Sequence, residues 1–356
     1  MACTACVGRA SEVSIFYYPW YATPEHDGHI SHWEQNGHNP PEDIGANFFP
    51  SAGTYSSADT AVIDSHMQQI AAAGIDTVVV SWWGRGSYED AVLSAVVAAA
   101  APLNIKVAAH IEPYKGRSSA TLRADHDYLY DRGIRDFYYY QVQSLSTEAL
   151  RQATEIAGDD RFFGEAANEG NVRNGSFMQW AQDAHLDGIY TYDPRGFQPS
   201  EFSGICNNAR THGLLCMPSV GPGWDGTRAT KIPGIVSRRD GQTYDNAWQS
   251  AIDSHADIVT VTSFNEWHEG TQIEPASPRC IPNSSYCYND YEGAYGKTGS
   301  QASYAYLDRT LYWSSIAKGR PPTLSQRLAI VSNSMRRNDN VVLDRIKAIG
   351  VRQDLD

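Results

Sequence analysis

The chain has 356 residues and carries 28 Lys and Arg residues against 41 Asp and Glu residues, a formal net charge of −13. This balance argues against nucleic acid or an anionic membrane surface as a partner, because neither is attracted to a negatively charged protein. Most aromatic residues carry a hydrogen-bonding group on the ring, since there are 21 Tyr and 9 Trp against 10 Phe. Such rings suit sugar faces and wet clefts, although they also serve in ordinary protein cores.

Short strand-like runs alternate with longer helical patterns, and this alternation repeats eight times along the chain. The predicted strands are residues 13–20, 77–83, 106–113, 136–141, 161–166, 188–192, 214–220 and 258–264. The predicted helices are residues 59–73, 89–101, 121–132, 147–156, 176–185, 201–211, 245–255 and 303–317. Eight βα units in a chain of this length predict an α/β fold, a single (β/α)8 TIM barrel rather than an open doubly wound sheet.

The predicted barrel divides the chain into three parts. Residues 1–12 form an N-terminal segment, residues 13–318 the catalytic barrel, and residues 319–356 a C-terminal extension. Two long βα loops, residues 21–58 and 265–302, follow the first and eighth strands. Catalytic groups in such barrels lie at the carboxyl ends of strands and in the following loops, so these long loops are expected to be functional.

The cysteines and apolar segments indicate the compartment. Cys280 and Cys287 bracket a short polar loop that has no packing reason to hold two thiols, which favours a disulfide in an oxidising environment. The longest apolar stretch, residues 91–111, is interrupted by polar residues and by Pro102, so no membrane span is predicted. No signal peptide is recognisable at the start. Because of the expected disulfide, we predict a secreted or otherwise extracytoplasmic protein. Asn174 and Asn283 lie in N-glycosylation sequons.

The strongest chemical signal is the sequence VTVTSFNEWHEGTQIE at residues 259–274. An apolar strand ends at Phe264, and Glu266 and Glu269 follow in the turn. Two carboxyl groups at the catalytic rim of a barrel can supply the acid and the base that glycosidic cleavage requires. Burial beside Trp267 would raise the pKa of one Glu while the other stays ionised. The alternative is an exposed acidic turn.

Other predicted strand ends carry polar and aromatic groups. His110 and Glu112 alternate on one face of the third strand, and the alternative to a role at the barrel mouth is a structural buried pair. Trp82 and Trp83 end the second strand as a stacking wall or as core residues. Tyr192 ends the sixth strand. Together these groups suit a neutral polyol bound between aromatic planes and carboxylates.

Other chemistries find little support. His26, His29 and His32 lie in an irregular loop without an evident fourth ligand, so no metal is predicted. Cys3 and Cys6 have zinc-knuckle spacing, but no second pair matches them. There is no Gly-x-Ser-x-Gly elbow for a serine nucleophile, and no glycine-rich phosphate loop follows the first strand. No cofactor is predicted.

Several motifs in chain order resemble glycoside hydrolase family 99, the endo-α-1,2-mannosidases and mannanases. They are FYYPWY (16–21), DIGANFFPSAGTYSSAD (43–59), HM (66–67), SWWG (81–84), HIEPY (110–114), DGIYTY (187–192), PSVGPGW (218–224) and TSFNEWHEGTQIE (262–274). The resemblance implies a (β/α)8 barrel and a retaining hydrolase that cuts inside α-mannose-containing glycans. It also implies that the sugar's own 2-hydroxyl attacks the anomeric carbon, which gives a 1,2-anhydro intermediate that water opens.

The resemblance further assigns Glu266 as the general base and Glu269 as the general acid/base. It implies that the substrate-binding residues are Tyr18, Trp82, Trp83, His110, Glu112, Tyr192, Arg238, Asn265, Trp267 and His268. Residues 138–188 are compact and lack a Tyr-Asp-Ser-Tyr stretch typical of the family. We expect a monomer with an oligosaccharide or polysaccharide substrate. The alternatives are an endo-glycosidase for another microbial polysaccharide, or a barrel that binds glycans or accompanies a glycosyltransferase without hydrolysis.

Overall fold

Nine parallel strands form one sheet in the computed structural model, which describes residues 10–155 and 159–320. The strands are β1 (Glu12–Tyr17), β2 (Thr77–Trp82), β3 (Lys106–Ile111), β4 (Asp136–Tyr139), β5 (Arg161–Glu165), β6 (Gly188–Tyr190), β7 (Leu215–Met217), β8 (Ser219–Val220) and β9 (Ile258–Val261). The helices are α1 (Pro24–Asp27), α2 (Thr60–Ala72), α3 (Tyr88–Ala100), α4 (Ser119–Tyr130), α5 (Thr147–Thr154), α6 (Glu169–Arg173), α7 (Ser176–Asp183), α8 (Phe202–Thr211), α9 (Gln242–Asp253), α10 (Gly299–Ser303) and α11 (Ala305–Lys318).

The sheet closes at the predicted seventh strand, which is broken at Pro218 into β7 and β8. Strand β7 pairs with β6, whereas β8 pairs with β9, which in turn pairs with β1. Pro218 has no amide hydrogen for the ladder, but its carbonyl accepts the amide of Thr260 at 3.2 Å. The (β/α)8 prediction is therefore confirmed, with the correction that the predicted strand 214–220 is two short strands.

The helices begin where the sequence supplies hydrogen-bonding caps. Ser87 accepts the amide of Asp90 at the start of α3, Ser118 and Thr121 form a capping box at α4, and Ser146 caps α5. Each cap satisfies a backbone amide that the first helical turn leaves without a partner. The short helices α1, α6 and α10 were not predicted, because they lie within loops rather than in long apolar patterns.

The barrel interior changes from charged to aromatic along its axis. At the amino ends of the strands, the buried Glu12 carboxylate lies 3.3 Å from Lys106 Nζ and 3.2 Å from Arg161 Nη2, and Arg161 also pairs with Asp136. Above this cluster lies an apolar layer, which consists of Phe16, Val79, Ala108, Tyr138, Phe163, Tyr190 and Met217. Side chains alternate along each strand, so every second residue faces this interior.

Two disulfides are present in the described residues. Cys280 pairs with Cys287, as predicted, and Cys206 of α8 pairs with Cys216 of β7. Cys3 and Cys6 lie outside the described residues, as do most of the N-terminal segment and almost all of the C-terminal extension. The division of the chain into three parts thus stays a prediction. Within residues 10–155 and 159–320, no helix is long and apolar enough to cross a membrane.

Candidate active site

The segment after β9 folds into a tight loop at the carboxyl end of the barrel. Ser263 Oγ accepts the amide of Glu266 at 2.8 Å, and the amides of Ile273 and Glu274 return to the carbonyls of Ser263 and Phe264 at 2.9 and 2.8 Å. These bonds bring the two ends of the loop together. The loop therefore holds Glu266 and Glu269 at the mouth of the barrel, where the sequence analysis placed them.

Glu266 is buried and Glu269 is partly exposed, and the two carboxyl groups interact electrostatically. Burial and the neighbouring charge of Glu269 raise the pKa of Glu266 well above its usual value, although the amide of His268 donates to Glu266 Oε1 at 3.1 Å. Burial and the charge of Asp193 raise the pKa of Glu269 to about 7, against the opposing effect of Arg195. Two such carboxyl groups titrate as a pair, so they can hold one proton near neutral pH. The pair can then supply one acid and one base.

Tyr18 and Tyr192 lie beside this pair. Their hydroxyl groups are in direct hydrogen-bond contact with each other. Burial, together with the charges of Glu112, Glu266 and Glu269, raises the pKa of Tyr18 well above its usual value, and burial with nearby groups including Glu269 does the same for Tyr192. Both phenols therefore stay protonated; one donates to the other, which leaves one phenolic hydrogen to donate at the barrel mouth.

His110 and Glu112 end strand β3 as a buried pair. Glu112 Oε1 lies 3.1 Å from His110 Nδ1 and accepts a hydrogen bond from Ser81 Oγ at 2.8 Å. His110 Nε2 lies 2.9 Å from the hydroxyl of Tyr190. The structure thus brings together the two residues that alternation placed on one face, and the hydrogen bond from Ser81 orients the Glu112 carboxylate.

Trp82 and Trp83 face opposite ways, which corrects the prediction of a wall of two indoles. Trp82 is fully buried outside the barrel, where its Nε1 donates to Asp90 Oδ1 of α3 at 2.8 Å and its ring meets Tyr114 edge-on. Trp83 is 37% exposed and takes the alternate direction, toward the mouth. Only Trp83 is therefore placed to contact a ligand.

Asn265 and Trp267 are fully buried and brace the loop, so the structure does not support their predicted role in sugar binding. Asn265 Oδ1 accepts a hydrogen bond from the amide of Tyr18 at 2.8 Å, and Asn265 Nδ2 donates to the carbonyl of Tyr18 at 3.0 Å. Trp267 Nε1 donates to Glu274 Oε2 at 2.9 Å, and the hydroxyl of Tyr55 donates to the same oxygen at 2.8 Å. Glu274 Oε1 lies 3.2 Å from Nε2 of His66, in the HM motif.

Arg238 also supports the loop rather than the sugar. Its Nη2 donates to the carbonyls of Gly270 and Gln272 at 2.9 and 2.7 Å. Its guanidinium carbon lies within 4.8 Å of three ring centroids, those of Phe48, Tyr291 and Tyr306. Both backbone carbonyls belong to the loop that carries Glu269, so Arg238 acts on the site indirectly, and its predicted substrate contact is not supported.

His268 packs against the loop after β1. Its Nε2 donates to the carbonyl of His32 at 2.7 Å, and its ring stacks near those of Trp20 and His32. Burial lowers the pKa of His268 to about 4 and that of His32 to about 3, so both imidazoles are neutral. His26 and His29 lie at the surface, and no cluster of three potential metal ligands occurs in residues 10–155 and 159–320.

Four residues that the sequence analysis did not single out also surround the mouth. Glu165 is the last residue of β5, Tyr140 follows β4, and Asp193 and Arg195 follow β6. Burial, reinforced by the charges of Glu112, Asp193 and Glu269, raises the pKa of Glu165 to about 8. Glu165 could have been predicted at the mouth, because it lies two residues after the inward-facing Phe163 on the same strand. Asp193 and Arg195 lie in a loop, where no alternation of side chains indicates their direction.

A sequence model described as glycosyl hydrolase family 99 matches residues 10–146 and 158–318, nearly the whole barrel. The chain belongs to this family. The assignment makes the protein a glycoside hydrolase and agrees with the barrel and with the carboxyl pair at its mouth. The unmatched residues between the two segments fall within the stretch 138–188, where the family's usual motif is missing from the sequence.

Curated relatives and a solved structure agree with the assignment to family 99. The glycoprotein endo-alpha-1,2-mannosidase of Xenopus laevis is 32% identical over 328 residues, which cover 79% of this chain and 73% of that protein. A glycoprotein endo-alpha-1,2-mannosidase-like protein of Mus musculus is 31% identical over 78% of this chain and 72% of its own. The GH99 endo-alpha-mannosidase from Bacteroides thetaiotaomicron superposes with a TM-score of 0.76 at 30% identity, covering 86% of this chain and 98% of that one.

Proposed function

We propose that this family 99 hydrolase is a retaining endo-α-mannosidase that cleaves internal α-mannosidic linkages of an α-1,2-mannan or a mannose-containing glycan. The observation that carries the proposal is the interacting pair of the buried Glu266 and the partly exposed Glu269 at the carboxyl end of the barrel, in a chain whose relatives are named as endo-α-mannosidases. An endo-acting enzyme needs an open cleft, and the exposed Trp83 and half-buried Tyr140 offer sugar-stacking faces at the rim.

The first half of the reaction uses the substrate's own hydroxyl as nucleophile. Glu266 accepts the proton of the 2-hydroxyl, whose oxygen attacks the anomeric carbon. Glu269 donates its proton to the glycosidic oxygen as the bond from that oxygen to the anomeric carbon breaks. A 1,2-anhydro sugar and a free leaving-group sugar result. The step requires one ionised and one protonated carboxyl group, and a coupled pair that shares one proton provides both.

The second half returns both protons. Glu269, now ionised, accepts a proton from water as the water oxygen attacks the anomeric carbon. The bond from that carbon to the bridging oxygen breaks, and this oxygen takes back its proton from Glu266. Two inversions give overall retention of the anomeric configuration. One of the hydroxyls of Tyr18 and Tyr192 donates to the other, and the phenolic hydrogen that remains would donate to a sugar oxygen during both halves.

The test is hydrolysis of α-1,2-mannobiose-containing oligosaccharides, with NMR observation of the first-formed anomer. We expect the wild type to release product with retained configuration, and Glu266→Gln and Glu269→Gln each to lose at least about a thousandfold in kcat/KM, since acid–base catalysis contributes on the order of 10²–10⁴ per group. Glu25→Gln, an exposed carboxyl in α1, serves as the matched control. A wild type that cleaves no α-mannan in a broad panel, or only another polysaccharide, contradicts the proposed substrate.

We also propose that the enzyme works in an oxidising compartment outside the cytoplasm or in a secretory lumen. The two disulfides support this, because such bonds persist where thiols are not kept reduced. Cys280 and Cys287 lie in an exposed loop, where a reducing environment would reach the bond readily.

A further inference from the structure

A row of four side chains follows one half of the barrel mouth. The strand register pairs Trp82 with Ile111, Ile111 with Tyr139 and Tyr139 with Gly164. The residues that directly follow Trp82, Ile111, Tyr139 and Gly164 therefore lie at the same height along the barrel axis. We call these four residues the rim row: Trp83, Glu112, Tyr140 and Glu165. Trp82, Ile111 and Tyr139 pack on the outer core, so alternation directs the rim row toward the barrel axis.

Aromatic and carboxyl groups alternate along the rim row. Neighbouring strands are about 4.8 Å apart, so Glu112 and Glu165 flank Tyr140 at a separation of roughly 10 Å across two strands. Trp83 is exposed and Tyr140 is half-buried, whereas the two Glu side chains are only 3% and 5% exposed. Accessible rings with fixed carboxyl groups between them match a sugar, which presents a flat apolar face and hydroxyls at its edge.

Glu165 has hydrogen-bonding capacity that the described residues do not use. Its Oε2 accepts the amide of Gln141 at 2.7 Å, and its Oε1 has no hydrogen-bond partner among residues 10–155 and 159–320. The nearby Arg117 does not pair with it, because that guanidinium donates to the carbonyls of Ile111, Tyr140 and Gln141 and to Ser144 Oγ. An oxygen on the inner face at the end of a barrel strand is thus left for a ligand.

Burial and the surrounding charges determine the protonation state of Glu165. Burial contributes most, and the charges of Glu112 after β3, Asp193 after β6 and Glu269 after β9 add to it, which raises the pKa of Glu165 to about 8. At neutral pH the acid is mainly protonated. Because Oε2 is an acceptor for the Gln141 amide, the proton lies on Oε1, which makes that oxygen a hydrogen-bond donor facing the cleft.

We propose that Glu165 contacts the glycan, by a hydrogen bond from its carboxyl group to a hydroxyl of a mannose unit that stacks on Tyr140, outside the two units joined by the cleaved bond. This assignment rests on the proposed function and adds a substrate-contacting residue to it. Glu165 lies away from Glu266 and Glu269 along the rim, so its contact strengthens binding of the glycan without taking part in bond cleavage. It therefore sets a preference for longer substrates.

The experiment compares the wild type with Glu165→Ala, Glu165→Gln and the exposed control Glu148→Gln on α-mannan oligosaccharides of increasing length. We expect Glu165→Ala to raise KM about tenfold for the longer substrates while kcat changes less than about threefold. Glu165→Gln keeps an acceptor for the Gln141 amide and a donor at the Oε1 position, so its KM should rise less than about threefold. Wild-type KM should increase above pH 8, and that increase should be missing in Glu165→Gln.

The outcomes separate this assignment from the proposed function. If the wild type cleaves the oligosaccharides and Glu165→Ala has the same KM at every length, Glu165 is not a contact. If Glu165→Ala lowers kcat and the melting temperature with KM unchanged, the residue only holds the turn at Gln141, and the assignment is again overturned. If the wild type neither cleaves nor binds the oligosaccharides in calorimetric titration, the proposed function fails and the assignment fails with it.

Discussion

The guanidinium of Arg195 donates hydrogen bonds to both carboxylate oxygens of Asp193, and its central carbon lies 4.0 Å from the centroid of the Trp224 ring. This ion pair lies beside Glu269. Asp193 raises the pKa of Glu269, whereas Arg195 lowers it. The two charges thus act in opposite directions on the proposed general acid.

Substitutions in this pair should move the pH profile in opposite directions. Asp193→Asn removes a negative charge and leaves Arg195 unpaired, so the pKa of Glu269 falls and the alkaline limb of kcat/KM moves to lower pH by about one unit. Arg195→Met leaves Asp193 unpaired, so the limb moves to higher pH. Because the carboxyl pair titrates together, the limb is a property of both groups. Arg151→Gln, in an exposed ion pair on α5, is the control, and shifts of the same sign in both variants would contradict this account.

Trp82 and Trp83 offer a contrast between neighbouring residues. Trp82→Ala removes a fully buried indole and the hydrogen bond that it donates to Asp90 Oδ1, so the free energy of unfolding should fall by about 3–5 kcal/mol. Trp83→Ala should leave stability within about 1 kcal/mol but raise KM roughly tenfold, because the ring is exposed at the mouth. Urea unfolding and steady-state kinetics measure the two effects. Equal KM changes in two stably folded variants would show that the directions assigned to the rings are wrong.

Glu274 should be required for the geometry of the catalytic loop, although it does not face the cleft. Its carboxylate accepts from Trp267 and Tyr55 and lies 3.2 Å from His66. Glu274→Gln replaces one carboxylate oxygen with an NH2 group, which cannot accept a hydrogen bond. The change should destabilise the fold by about 1–3 kcal/mol and lower kcat with little change in KM. Glu155→Gln, an exposed carboxyl after α5, should change stability by less than about 0.5 kcal/mol. A stable Glu274→Gln variant with full kcat would exclude the bracing role.

The two disulfides should differ in accessibility to reductant. Cys206 and Cys216 are buried between α8 and β7, whereas Cys280 and Cys287 are exposed. Mild reductant should therefore release the thiols of Cys280 and Cys287 first, as detected by alkylation and mass spectrometry. Each bond closes a short loop, so replacing either pair by alanine should cost about 2–3 kcal/mol of stability. Simultaneous reduction of both bonds in the folded protein would contradict this expectation.

The barrel and the position of the carboxyl pair at its mouth could be predicted from the sequence because they rest on periodic patterns and on one dense motif. The directions of side chains at strand ends were harder to predict. Trp82 and Trp83 are adjacent and chemically identical, and only the register of β2 shows which ring faces the mouth. Asn265, Trp267 and Arg238 carry hydrogen-bonding groups suited to sugars, but their partners are backbone and carboxyl groups distant in the sequence. Those contacts depend on how loops fold over one another, and local pattern does not contain that information.

The ion cluster of Glu12, Lys106, Arg161 and Asp136 closes the amino end of the barrel. A polysaccharide therefore cannot thread through the molecule, and the proposed endo action then requires a long chain to lie across the open face, with both of its ends in solvent. Under the proposed function, cleavage anywhere along such a chain lets both fragments leave sideways, without sliding through a tunnel. Each encounter then ends after few cuts, so the size of a long mannan should fall early in digestion, before short products accumulate.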